Sequence, residues 1–348
     1  MIEGVTDDAD PRPEAQPGFV RAIGRWDLTA AVINGVIGSG IFGLPAVLAA
    51  LTGVLSPLAA LAAGGGILLI VLCFAEVGSR FREHGGVYLY ARAAYGPLVG
   101  FEVGWLLIWT RLLSAAANLN LFVLYLGELW PELAIGAPRA IVMTVLVATI
   151  AVTNVVGVRS ATWSIDAFTI AKLVPLALLI VLGLPQVDGE VIATQTVADP
   201  DWTQAVLVMM FAFGGFESAL LPAGEMRDPK RDIGFALLVG LAVIATVYLL
   251  VQLVVIGTVA HAGETKAPLA QALGVLLGPP GVVLASVAAM ISVYGWTTGA
   301  TLAQPRVIHA MAERGELPAP LARVHPRFRT PHWAIVVFAV IALGLALA

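Results

Sequence analysis

Long apolar runs separated by short polar segments recur along the whole chain. A helix needs about 20 mostly apolar residues to cross the roughly 30 Å of hydrocarbon in a bilayer, and the runs here are of that order. They predict nine membrane-spanning helices, over residues 27–50, 56–79, 97–130, 139–157, 162–185, 203–224, 233–258, 280–303 and 331–348. Membrane β-barrels instead use short strands of alternating hydrophobicity. The continuous runs therefore indicate an all-α polytopic membrane protein.

The composition agrees with this interpretation. Of the 348 residues, 59% are hydrophobic and only 12% are charged, which is more apolar surface than a soluble core of this length could bury. Residues 1–26 are acidic and rich in proline, and they contain neither a basic start nor an apolar segment. They are predicted to form a disordered cytoplasmic tail and not a signal peptide. Cys73 is the only cysteine, which excludes a disulfide framework and a cysteine-based metal site.

The placement of lysine and arginine predicts the orientation. Short loops that are rich in these residues stay on the cytoplasmic side of a membrane. With a cytoplasmic N-terminus, 15 of the 19 basic residues lie inside, two lie within spans, and only Arg139 and Lys266 lie outside. We therefore predict a multi-pass protein of the plasma membrane with its N-terminus in the cytoplasm.

Two of the predicted helices contain glycine clusters at mid-membrane. Helix 1 reads GVIGSGIFGLP over 35–45 and helix 6 reads FGGFESALLP over 213–222, and in both a proline follows a central glycine by seven residues. Because five helices separate their starts, the two helices run in opposite directions. This predicts an inverted repeat, with a first repeat over 27–185 and an incomplete second repeat over 203–348. Paired interrupted helices of this kind indicate the binding site of a secondary transporter.

The physical reason lies in the backbone groups that a break releases. Unpaired N–H and C=O groups are tolerated in a membrane only where a ligand, an ion or water binds them. The start of the half-helix after a break offers donors and a positive dipole end to a carboxylate, while freed carbonyls suit an ammonium group. The alternative is that the glycines only allow close helix packing. The matched pair of breaks favours binding.

Two basic residues lie inside predicted spans. Lys172 is ten residues into helix 5, about 15 Å from its end, where burial favours the neutral form and makes the residue a candidate proton carrier. The alternative is a fixed cation that faces backbone carbonyls. Arg111 in helix 3 stays charged and needs an anion. Glu217 could pair with it, or Arg111 could contact the substrate directly.

The sequence lacks common motifs of enzyme active sites. The sequence contains no HExxH, GxxxxGKS or GxSxG motif, so we predict no enzyme activity, no cofactor, no bound metal and no nucleic-acid partner. Asp232 is predicted to cap helix 7, and Thr330 to cap helix 9 with Pro331 at its first position.

Four segments resemble the amino acid-polyamine-organocation permeases. They are GVIGSGIFGLP in helix 1, FAEVGSRFREHGGVYLYARAAYG from helix 2 to helix 3, FAFGGFESALLPAGEMRDPKRDI from helix 6, and QPRVIHAMAERGELPAPLARVHPRFRTP before helix 9. The resemblance implies a five-plus-five inverted-repeat fold and transport of amino acids, or of polyamines, by alternating access. The family usually has twelve helices, so nine imply a fold that is truncated after helix 9.

The same resemblance implies roles for individual residues. Residues 38–40 would hold the substrate carboxylate and the backbone of 213–215 its amine. Phe211 matches an aromatic gate, Trp296 matches a tryptophan that stacks on a substrate cation, and Lys172 matches the lysine that replaces sodium in proton-coupled members. The predicted substrate-binding residues are Ile37, Gly38, Ser39, Gly40, Arg111, Phe211, Phe213, Gly214, Gly215, Glu217 and Trp296, and Lys172 is the predicted proton-coupling residue.

The sequence is compatible with two functions. The first is secondary active transport of an amino acid or small amine, as a proton-coupled carrier or an exchanger. The alternative is a transport-deficient membrane protein that binds the substrate or regulates another protein. A channel would need a continuous polar stripe, which the spans lack. Trp296 favours a cationic side chain on the substrate, whereas an unpaired Arg111 would repel one.

Overall fold

The computed structural model describes residues 24–38, 40–80, 86–156, 161–217 and 228–348, and these residues form helices and connecting turns without any strand. Most of the predicted tail, together with Ser39 and Pro222, lies outside them. The helices are α1 (Arg25–Val36), α2 (Gly40–Thr52), α3 (Ser56–Gly78), α4 (Gly86–Tyr95), α5 (Pro97–Gly127), α6 (Gly136–Val156), α7 (Ala161–Gly183), α8 (Gly189–Ala193), α9 (Trp202–Ala212), α10 (Pro229–Thr258), α11 (Pro268–Leu277), α12 (Pro279–Glu313) and α13 (His332–Leu347).

Several of these helices are suited to a membrane. Five stretches are long and apolar enough to cross one, namely Gly40–Gly78, Pro97–Gly127, Gly136–Val156, Arg231–Thr258 and Pro279–Glu313. Shorter apolar helices occur at Lys172–Gln186, Trp202–Ala212, Pro268–Leu277 and His332–Leu347. The protein is therefore an all-α polytopic membrane protein, as predicted from the apolar runs.

The structure corrects several predicted boundaries. Predicted helix 1 is two helices, α1 and α2, and predicted helix 8 continues beyond residue 303 to Glu313. The predicted cap of helix 7 is wrong: α10 begins at Pro229 with Asp228 as its N-cap, while Asp232 lies in the first turn and accepts the Asp228 amide at 3.3 Å. Because the ring of Pro229 already fixes the φ angle of a helix, α10 begins at Pro229, before Asp232.

The predicted cap of helix 9 is wrong as well. Helix α13 begins at His332, and Pro331 occupies the N-cap position. The Thr330 hydroxyl, which was expected to cap the helix, donates instead to the Val155 carbonyl at the end of α6, at 2.7 Å. The Thr330 hydroxyl therefore bonds to α6 and not to the first turn of α13.

The broken helices of the predicted repeat run antiparallel to each other. Their contacts pair Gly35 with Gly215, Gly40 with Ala212, and Leu51 with Asp201. Residue numbers rise along α1 and α2 while they fall along the partner segment, which is the direction that an inverted repeat requires. The boundaries of the two repeats remain predictions.

The buried apolar residues fall into a large cluster and two smaller ones. The large cluster joins α1, α2 and α3 to α7, α9, α10 and α11, and it also includes one residue each of α4 and α5 and three alanines of α12. The smaller clusters lie among α4, α5, α12 and α13 and among α5, α6 and α13. Trp296 of α12 contacts the helix 1 break. The break therefore lies beside α12, which contributes to both the large cluster and one of the smaller ones.

Candidate functional site

The first break separates α1 from α2. Helix α1 ends at Val36, and Ile37 follows with φ −70° and ψ 80°, which is not helical. The Ile37 amide bonds to Ile33 O at 2.8 Å and the Gly38 amide to Val36 O at 2.7 Å. Among the described residues, the backbone amides of 40–42 at the start of α2 have no acceptor. Within the described ranges, the break therefore presents backbone N–H groups without a protein acceptor at a helix N-terminus.

The second break follows α9, which ends at Ala212. The Gly214 amide bonds to Phe211 O at 3.0 Å, and Gly215 has φ +121°. This backbone conformation strongly favours glycine. A Cβ on Gly215 would also lie 2.3 Å from Gly35 O, inside the first break. The two breaks are thus in direct contact, and only a residue without a side chain permits it.

Tyr248 of α10 bridges the two breaks. Its hydroxyl lies 2.9 Å from Ala212 O and 3.3 Å from Val36 O. From α12, the Ser292 hydroxyl donates to Gly38 O at 3.3 Å. Released carbonyls of both helices are therefore partly satisfied by the protein itself.

Sequence reasoning missed these carbonyl partners. Tyr248 and Gln252 are polar residues four positions apart in an apolar helix, a spacing that places both on one face. Gln252 donates to Pro45 O at 3.1 Å and to the Ser56 hydroxyl at 2.9 Å. That spacing is the signal that could have identified them.

Glu217 connects the second break to α5. Its carboxylate forms an ion pair with Arg111 and accepts the Gly215 amide at 2.9 Å. Of the two partners considered for Arg111, the structure therefore contains the internal carboxylate. Arg111 is buried, and its Nε has no acceptor in the part of the chain that the structure describes.

Lys172 of α7 is also buried, with 3% of its surface exposed. Its ammonium group donates to Asn34 O in the last turn of α1, at 2.9 Å. No carboxylate of the described residues lies within ion-pair distance of it. This is the geometry expected of a cation that faces a backbone carbonyl, and proton coupling through Lys172 remains a prediction.

The predicted aromatic residues differ in their placement. A Cβ on Gly38 would lie 2.9 Å from Trp296 Cδ1, so the indole covers the first break. Phe213 is buried and its ring centroid lies 5.1 Å from that of Tyr248. Phe211, the predicted gate, is 53% exposed. The structure therefore brings Trp296 and Phe213 to the breaks and leaves the Phe211 ring outside their packing.

A narrow, mostly apolar crevice runs beside both breaks. Its lining includes Gly40, Leu44, Ala212, Tyr248 and Gln252. The charged groups near the breaks, by contrast, are held by protein partners. No group of three or more His, Cys, Asp or Glu side chains that could bind a metal occurs within the described ranges. The arrangement thus offers backbone donors and acceptors next to an apolar wall.

Comparison with known proteins identifies the family. A family model described as amino acid permease matches residues 23–348. The chain is 32% identical over 342 residues to the serine/threonine exchanger SteT of Bacillus subtilis, covering 94% of this chain and 76% of the exchanger. It is 27% identical over 349 residues to the methylthioribose transporter of the same organism, covering 94% and 75%.

A third relative is an uncharacterized transporter of Mycobacterium tuberculosis, 29% identical over 353 residues, with 97% of this chain and 76% of the relative covered. The family and these relatives are transporters and not enzymes. The matched residues include both breaks and every helix described above. This chain is therefore a membrane transporter that belongs to the amino acid permease family.

Proposed function

We propose that this protein is a secondary active transporter of amino acids that works by alternating access. The observation that carries the proposal is the direct contact between two antiparallel helix breaks. The amides of 40–42 suit a carboxylate, because a helix N-terminus combines N–H donors with a positive dipole end. In this proposal the backbone carbonyls of 213–215 at the second break face the ammonium group, as the sequence predicts.

The electrostatics favour a substrate with a neutral side chain. A cationic side chain would need an anionic partner, and Glu217, the carboxylate at the breaks, is already paired with Arg111. An acidic side chain would need a cation, but Arg111 is engaged by the same pair and the Lys172 ammonium group donates to Asn34 O. The crevice beside Gly40 is mostly apolar. Serine and threonine, which the name of the Bacillus subtilis relative gives as its substrates, are small neutral amino acids that meet these conditions.

The proposed cycle adds three elements that the sequence predicts. Lys172 carries or gates a proton, residues 38–40 with Ile37 hold the carboxylate, and Trp296 closes over the first break. The protein lies in the plasma membrane with its N-terminus in the cytoplasm. Its partners are the amino acid, a proton and the lipid bilayer.

Uptake into proteoliposomes tests the proposal. We expect purified protein to accumulate radiolabelled serine or threonine in a saturable way, with a pH gradient or with internal amino acid as the driving force. Gly215→Ala should abolish uptake, because the added Cβ meets Gly35 O at 2.3 Å. Gly65→Ala is the matched control, since a Cβ there meets nothing within 4 Å.

The outcomes separate the proposal from its alternative. Flux that is lost in Gly215→Ala and kept in Gly65→Ala supports transport through the paired breaks. Substrate binding without flux would instead identify a transport-deficient binding protein. Absence of both binding and flux for all amino acids and common polyamines would refute the proposal.

A further inference from the structure

The loop between α12 and α13 ends in a compact turn just before α13. The His325 amide donates to Thr330 O at 2.8 Å, and the Arg329 amide donates to His325 O at 2.9 Å. The His325 Nδ1 accepts the two amides of 327–328, each at 3.2 Å. The Thr330 hydroxyl then anchors the turn to Val155 O on α6. The turn is therefore pre-formed and fixed to the helix bundle.

Three arginines project from this segment, which we call the basic turn and define as residues 323–330. Arg323, Arg327 and Arg329 are all exposed. Within the ranges that the structure describes, none of them forms an ion pair. Arg327 lies over the ring of Phe328, at 5.4 Å from its centroid. This contact supports one of the three guanidinium groups.

The two carboxylates that precede the basic turn in sequence contact other residues. Glu316 pairs with Arg92 and accepts the Tyr88 hydroxyl at 2.9 Å. Glu313 lies 3.3 Å from the ring of His309. Among the described residues, the basic turn therefore carries three positive charges that no carboxylate pairs with.

The position of Trp333 indicates where the basic turn lies relative to a membrane. Trp333 is the second residue of α13, an apolar helix, and 46% of it is exposed. Tryptophan is enriched at membrane–water interfaces, where its ring lies at the level of the headgroups. Val324 is 44% exposed within the basic turn itself. Because Trp333 follows the basic turn by three residues, a Trp333 ring at the membrane–water interface brings the turn to the level of the headgroups.

We propose that the basic turn binds the phosphate of an anionic phospholipid in the leaflet from which α13 enters the membrane. Arginine presents a planar fork of donors that matches phosphate geometry. Trp333 and Val324 contact the region between headgroup and acyl chain. The hydrogen bonds through His325 hold the arginines in place before the lipid arrives, which lowers the cost of ordering them.

Lipid titration of the full chain in mild detergent tests this site. We expect phosphatidylglycerol to raise the melting temperature more than phosphatidylcholine does. The variant R323Q/R327Q/R329Q should bind phosphatidylglycerol on the order of a hundredfold more weakly, since each basic residue near an anionic surface contributes about a fivefold preference. The matched control R12Q/R21Q/R231Q removes the same charge from elsewhere and should keep the preference.

Two further measurements keep the test decisive if the triple variant folds poorly. A photoactivatable phosphatidylglycerol, labelled at its headgroup, should crosslink the wild-type chain within residues 323–333. Inorganic phosphate alone should not reproduce the stabilisation. Crosslinks elsewhere, an unchanged preference in the triple variant, or full stabilisation by free phosphate would each overturn the proposal.

Discussion

At the scale of single residues, Glu217 performs two tasks with one carboxylate. It neutralises the buried Arg111 and accepts the Gly215 amide at 2.9 Å. The second helix break is thereby joined to α5, which is not itself broken. Removing one partner of a buried pair leaves an uncompensated charge, which costs far more than removing both.

We therefore expect Arg111→Gln and Glu217→Gln each to lower the free energy of unfolding by about 3 to 5 kcal/mol, and the double variant to lose clearly less than the sum. Denaturation of the purified variants in detergent measures this. The matched control is Arg80→Gln, which breaks the exposed pair with Glu76 and should cost less than about 1 kcal/mol. Strictly additive losses would show that the two side chains act independently.

Lys172 is the second residue whose role can be isolated. Its ammonium group contacts Asn34 O at 2.9 Å, in the last turn of α1 before the first break. Lys172→Ala should abolish uptake that is driven by a pH gradient while serine or threonine binding persists, because the contact is to the backbone of α1 and not to the proposed substrate site. Lys266→Ala, at an exposed lysine, is the control. Unchanged pH dependence in Lys172→Ala would remove the proton assignment.

At the scale of elements, the breaks themselves could be predicted, whereas the ends of the helices could not. The first helix is interrupted at its glycine cluster, between Val36 and Gly40, whereas Pro45 lies inside the continuous helix α2. Helix caps, by contrast, depend on competition between local and tertiary partners. Thr330 illustrates this, because its hydroxyl bonds to Val155 O on α6 and leaves the N-cap position to Pro331.

In the segment between α8 and α9, one buried side chain bonds to three backbone groups. Gln195 is 4% exposed, and its amide nitrogen lies 2.7 Å from Val259 O and 3.2 Å from Ile256 O. Its amide oxygen accepts the Ala262 amide at 3.0 Å. One residue thus satisfies three backbone groups at the end of α10 and in the turn that follows it.

Gln195→Ala should leave these three groups without partners, at about 1 to 3 kcal/mol for each group that water does not reach. We expect faster amide hydrogen exchange across residues 256–262 and a lower melting temperature. Gln271→Ala, at an exposed glutamine, should change neither. Unaltered exchange at residues 256–262 in Gln195→Ala would show that the side chain is dispensable.

At the scale of the whole molecule, α3 packs against α10 although the two helices are far apart in sequence. A Cβ on Gly64 would lie 3.8 Å from the Cβ of Ala245, which is close to the separation found in disulfides, about 3.8 Å. A Cβ on Gly65 would meet nothing within 4 Å. Residue 64 of α3 therefore faces Ala245 of α10, whereas residue 65 on the same helix does not.

In a background that carries Cys73→Ala, the pair Gly64→Cys with Ala245→Cys should therefore form a disulfide on mild oxidation. The pair Gly65→Cys with Ala245→Cys is the control and should remain reduced, because residue 65 points away from α10. Mobility of the protein before and after reduction, or mass spectrometry of the linked peptides, measures the outcome. Equal crosslinking of both pairs would contradict the described packing of α3 on α10.

The sequence by itself determined the helical class and the two breaks, because hydrocarbon tolerates only a backbone that satisfies its own hydrogen bonds. It also indicated the partner of Arg111, since a buried arginine requires an anion and Glu217 is close to a break. Only the tertiary structure decided that Gly215 contacts Gly35 and that Tyr248 bridges both breaks. The Tyr248 contact to Val36 spans 212 positions of sequence, and such a distance is closed by the packing of whole helices, which no local pattern encodes.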